Sequence, residues 1–115
     1  MNTREVFNQG LKILNIALEH GKYNELSRAI DKFNIVLQQD ENFSPAYLTL
    51  AYIAILMEYE LEAIKLLNKV LELEPFNKKA QKMLKDLKVK PKVSLEVINK
   101  KQEFLSILEE QKKNF

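Results

Sequence analysis

The chain has 115 residues, 46% of them hydrophobic and 30% charged, which suits one domain with a buried core and a wetted surface. Two glycines and three prolines are too few to turn a sandwich or barrel, whose strands reverse every ~8–12 residues, so the composition selects a few long helices. Without cysteine there is no disulfide framework, thiolate zinc site or thiol nucleophile; with His20 as the one histidine, imidazole clusters and relay pairs are excluded too. No apolar run reaches the ~18 residues of a membrane span, and Arg4 and Glu5 do not open a secretory signal, so a cytoplasmic domain is expected. The net charge of +2 hides an asymmetry: residues 1–75 carry 7 basic and 11 acidic side chains, residues 76–115 carry 11 and 5.

In chain order, the periodicity predicts a first helix over about 3–20, ended by Gly21, the residue that adopts a left-handed stop most cheaply. A second follows at about 23–39. Ser44-Pro45 predicts the start of a third, with serine as N-cap and proline in the first turn, continuing to about Met57. The fourth spans about 60–73 and stops before Pro75. A fifth occupies about 77–88 and is closed by Pro91; Ser94 opens a sixth over about 94–113.

These six helices fall into a repeat of thirty-four residues. Ala63, Ile64, Leu67, Val70 and Leu71 share one helical face. Thirty-four positions earlier stand Ala29, Ile30, Phe33, Val36 and Leu37; thirty-four later stand Val97, Ile98, Lys101, Phe104 and Leu105. The first half of the unit repeats as well, through Ile13, Tyr47 and Gln81, and through Ile16, Leu50 and Leu84; Ala17 and Ala51 match, with Lys85 departing from them. The small residues Ala17, Ala29, Ala51 and Ala63 mark places where two helices approach closely. In the first copy the turn falls almost one helical turn early while the period holds, which predicts an overlong second helix and an irregular first repeat.

Tyr47, Leu50, Ala51, Ala54, Ala63, Leu67, Val70 and the closing run Leu71-Glu72-Leu73-Glu74-Pro75 resemble the tetratricopeptide repeat, a 34-residue helix–turn–helix unit. The copy at 44–77 carries the clearest match. The copy at 10–43 has Asp40-Glu41 near the place of the proline, and only the second helix of the copy at 78–111 keeps the pattern. The resemblance implies an all-α, right-handed α-solenoid of about three such hairpins, six helices in one domain over 1–115, with residues 1–9 as an N-terminal extension. It implies a concave groove lined by the second, fifth, ninth, twelfth and thirteenth places of each repeat. In the second copy these include Leu48, Tyr52, Ile55 and Leu56, after Pro45; in the first, Leu11, Leu14 and Leu18; in the third, Lys79, Lys82 and Lys90, with Asp86 and Val89. Ile13, Ile16 and Leu50 are expected to face the core instead. The family's lysine/asparagine clamp for a C-terminal carboxylate does not match, because Leu48 and Tyr52 occupy those places.

An apolar hollow with a basic end calls for a cover: the chain's own end or irregular first repeat folded over the leucines, a second copy, or a protein or peptide partner, most simply an amphipathic helix with acidic flanks. Phe104, Ile107, Leu108 and Phe115 form a second apolar set near the last helix, read as a homodimer or docking surface. His20, near the end of the first helix, reads as a surface or capping residue, and no metal-ligand spacing, phosphate loop or nucleophile motif accompanies it. The expectation is a non-catalytic interaction module without cofactor or metal: an adaptor, assembly factor or chaperone. Two rival readings are nucleic-acid or acidic-partner binding through the seven lysines of 78–92, which stand against Asp86 alone, and a structural subunit of a larger complex. Nucleic acid is disfavoured because that stretch has no aromatic residue to stack on bases.

Overall fold

A computed structural model describes residues 2–88, which are helical throughout apart from short turns, with no strand among them. Five α-helices follow one another: α1 (Thr3–Glu19), α2 (Leu26–Gln39), α3 (Ser44–Leu56), α4 (Glu60–Leu73) and α5 (Lys78–Lys88). The sixth expected helix, at about 94–113, lies outside the described residues, as do the last positions of the third repeat.

Sequence chemistry sets each boundary. The Asn2 side chain caps α1 reciprocally: its Oδ1 accepts from the Glu5 N–H at 2.8 Å and its Nδ2 donates to the Glu5 carboxylate at 3.0 Å. Gly21 sits at φ +62° just beyond the α1 C-cap, as its position predicts. The second helix is not overlong. Leu26 and Glu60, thirty-four positions apart, start α2 and α4, and both helices have 14 residues. The early turn of the first copy is taken up instead by a 3₁₀ turn at Tyr23–Glu25. Ser44 is the second departure. Phe43 is the N-cap of α3, and the Ser44 hydroxyl donates to the Glu74 carboxylate at the end of α4 rather than accepting from its own helix.

The helices pair as antiparallel hairpins, α1 on α2 and α3 on α4, while α3 also meets α2 and α5 packs on α4. Burial repeats with the sequence. Ala17, Ala29, Phe33 and Val36 are fully enclosed, and so are their counterparts Ala51, Ala63, Leu67 and Val70. Gly10 is the small residue of the first hairpin, lying against the Phe33 ring of α2.

Two core clusters result, and α3 joins them. One combines Phe7, Leu14, Ala17, Leu26, Phe33 and Val36 with Ala46, Ile53 and Met57 of α3. The other combines Ala51 and Ala54 of α3 with Leu67 and Val70 of α4 and Ala80 and Leu87 of α5. A helix buried on two sides needs apolar residues on both, which explains why α3 contains no charged side chain. On α1 the matching face is mixed: Lys12 and Glu19 are exposed where α3 has the enclosed Ala46 and Ile53, and Ile16 between them is exposed too.

Candidate functional site

The groove positions of α3 fall on its third side. Tyr52 is 44% exposed and Leu56 38%, whereas Leu48 and Ile55 are half-buried and packed on the second cluster. Spacings of three and four residues put Leu48, Tyr52, Ile55 and Leu56 on one stripe. The stripe is therefore apolar, supported from beneath by Ala51 and Ala54, and open to solvent at Tyr52 and Leu56. Pro45 and Thr49 extend it toward the helix start; the Thr49 hydroxyl is turned inward, donating to the Pro45 carbonyl at 2.8 Å.

On α1 the expected groove set divides. Leu11 and Leu18 are half-buried against the first cluster. Leu14 is 4% exposed and belongs to the core, so it is removed from the groove. It lies between Gly10 and Ala17 on the stripe that meets α2, and the bare Gly10 backbone lets Phe33 close over that stripe. Ile16, expected in the core, is instead 44% exposed. Gly21 and Lys22 sit in the turn beyond α1.

Lys79 and Lys82 are exposed on α5, as is Asp86. Lys90 and the second apolar set, Phe104, Ile107, Leu108 and Phe115, lie outside the described residues. His20 is an exposed C-cap residue, and among the described residues no group of three or more His, Asp or Glu side chains could hold a metal ion. No helix among them is long and apolar enough to cross a membrane.

Three features of the surface have no counterpart in the sequence reading. Phe76, in the turn before α5, is 87% exposed, and Leu61, in the first turn of α4, is also well exposed. Glu58 adopts φ +62°, a left-handed conformation for a non-glycine residue, and its Oε2 is buried without a hydrogen-bond partner. The third feature is the polar link at Glu74. Its carboxylate accepts from the Ser44 hydroxyl and from the Asn77 amide at 3.2 Å, and these two donors hold its pKa below the usual glutamate value. Asn77 in turn caps α5, accepting the Ala80 N–H at 2.9 Å. An asparagine just ahead of a lysine-rich helix was the one available signal for that cap.

No protein-family model matches the chain, and a search of curated proteins finds no match. Its chemistry is therefore read from its own residues.

Proposed function

We propose that this chain is a non-catalytic protein-interaction module, a stack of tetratricopeptide-like hairpins forming a right-handed solenoid, which holds the apolar side of a partner's amphipathic helix against α3. One observation carries the reading: α3 is buried on two sides and still presents Tyr52 and Leu56 to solvent on the third. A side chain that must meet only water does not need to be leucine or tyrosine.

Each leucine-sized anchor that goes from exposed to buried contributes ~1.5–3 kcal/mol, and micromolar affinity needs about 8 kcal/mol net of association costs. Tyr52 and Leu56, the exposed members of the stripe, supply part of that figure, and contacts beyond the stripe supply the rest. The exposed Lys79 and Lys82 on α5 favour a partner whose apolar stripe has acidic flanks.

The test is capture of partners from the native cell at two salt concentrations, with the wild-type chain and with Tyr52→Glu/Leu56→Glu. Both substituted residues are exposed, so the variant keeps its helices, which circular dichroism checks. Capture that survives high salt and is lost in the variant supports the reading. Capture unchanged in the variant removes the α3 stripe from it, and capture that falls steeply with salt assigns binding to phosphate or carboxylate recognition instead.

A further inference from the structure

The lysines of α5 occupy an instructive place in the repeat. In α1, Gly10, Leu14 and Ala17 form a buried stripe whose glycine touches Phe33 of α2. Thirty-four residues on, Ser44, Leu48 and Ala51 form the same stripe of α3; Ser44 bonds to Glu74 at the end of α4, and Ala51 packs with Ala63 and Leu67. On α5 the stripe is Lys78, Lys82 and Lys85, all three exposed. The apolar side of α5, through Ala80, Met83, Leu84 and Leu87, is turned the other way and packs with the α4 cluster.

The side on which the first two hairpins receive their second helix is thus a row of cations on α5. The residue that fills the matching slot of the second helix is Phe33 and then Leu67; in the third copy of the sequence it is Lys101, outside the described residues. Neither ion pair found among the described residues, Arg28–Glu25 or Lys69–Glu72, involves the α5 lysines.

We infer that the Lys78–Lys82–Lys85 stripe is a docking surface for an acidic helix of a protein partner, seated where the first two hairpins place their own second helix. Charge complementarity and spacing select that occupant. Carboxylates at i, i+4 and i+7 on a partner helix span ~10 Å, the same length as the lysine stripe. Lysine acts as a point charge and lacks the planar fork with which arginine grips phosphates and bases, so the stripe suits dispersed carboxylates. Phe76, at the N-terminal end of α5, offers an exposed apolar anchor beside the charges. The stripe shares Lys82 with the basic end proposed for the α3 groove but contains neither Tyr52 nor Leu56, and the inference does not rest on what α3 binds.

The probe is a synthetic helical peptide with glutamates at i, i+4 and i+7, compared with its glutamine counterpart, titrated by fluorescence anisotropy into the full chain at low and moderate salt. The glutamate peptide should bind at least about tenfold more tightly than the glutamine peptide, and more weakly as salt rises. Lys78→Glu/Lys85→Glu should weaken it by at least about tenfold and the milder Lys78→Ala/Lys85→Ala several-fold. Helical content by circular dichroism confirms that each variant is folded. Equal affinity for the two peptides, or for wild type and the charge-reversed chain, overturns the inference. Tighter binding of a single-stranded DNA oligonucleotide than of the glutamate peptide also overturns it, by assigning the stripe to phosphate.

Discussion

At the scale of single residues, Phe33 leaves Gly10 no room for an added side chain between α1 and α2. A Cβ built on Gly10 would stand 2.7 Å from Cε1 of the Phe33 ring, and Phe33 is fully buried with no space to retreat into. Two effects oppose each other here. Replacing a helical glycine by alanine normally gains about 1 kcal/mol, whereas forcing a methyl into a packed core costs ~1–3 kcal/mol. With the ring enclosed, packing wins, so Gly10→Ala should lower the urea midpoint by the equivalent of about 1 kcal/mol or more with an unchanged m-value. The second hairpin indicates how to rescue it, since it pairs Ser44 with Leu67 at the same two positions. Gly10→Ser/Phe33→Leu should lose less than the sum of its two single changes. A Gly10→Ala protein as stable as wild type would show that the ring yields.

At the scale of the elements, α1 and α3 end alike by different chemistry. Beyond α1, Lys22 N–H bonds to the Ala17 carbonyl at 2.8 Å across a left-handed Gly21; beyond α3, Tyr59 N–H bonds to the Ala54 carbonyl at 2.8 Å across a left-handed Glu58. Glycine takes this conformation freely, but glutamate pays ~1–2 kcal/mol for it. Glu58→Gly should therefore raise the melting temperature by several degrees, at ~4–8 °C per kcal/mol. Gly21→Ala, whose new Cβ meets nothing within 4 Å, should cost about 1 kcal/mol through the backbone term alone and lower the melting temperature by several degrees. A fall in melting temperature for Glu58→Gly would mean that the side chain's contacts outweigh the strain. The Gly21 stop was legible because glycine announces it, and the end of α4 was legible because Pro75 follows it. Glu58 was not, since no local pattern marks a glutamate for a left-handed site. Ser44 was misread for a different reason: its partner, Glu74, lies thirty positions away, and only the pairing of α3 with α4 brings them together.

At the scale of the whole molecule, the same limit governs the candidate site. Tyr52 and Leu56 were indicated by the repeat places that the family resemblance implies, and both are exposed. Leu14 and Ile16 exchanged places because both are apolar, and the rotation of α1 about its axis is set by where α2 lands rather than by α1's own sequence. Beside the apolar packing of Ala80 and Leu87, a polar link that responds to acid ties the second hairpin to α5. Glu74, exposed at the end of α4, accepts from Ser44 at the start of α3 and from Asn77 at the start of α5. In the first repeat the equivalent positions are Asp40, which accepts from its neighbour Asn42 at 3.0 Å, and Gly10, which has no hydroxyl to offer. Because the Ser44 and Asn77 bonds lower the Glu74 pKa in the fold, their contribution to stability is fully present above the ordinary glutamate value of 4.5. It is lost as the pH falls from there through the lower folded-state value. Glu74→Gln retains a hydrogen-bonding side chain without the charge, so wild type should melt above the variant at neutral pH and the gap should close progressively below about pH 4.5. Thermal unfolding of both chains from neutral to strongly acidic pH measures that gap. A gap that stayed constant with pH would show that the carboxylate's charge contributes nothing to holding α3, α4 and α5 together.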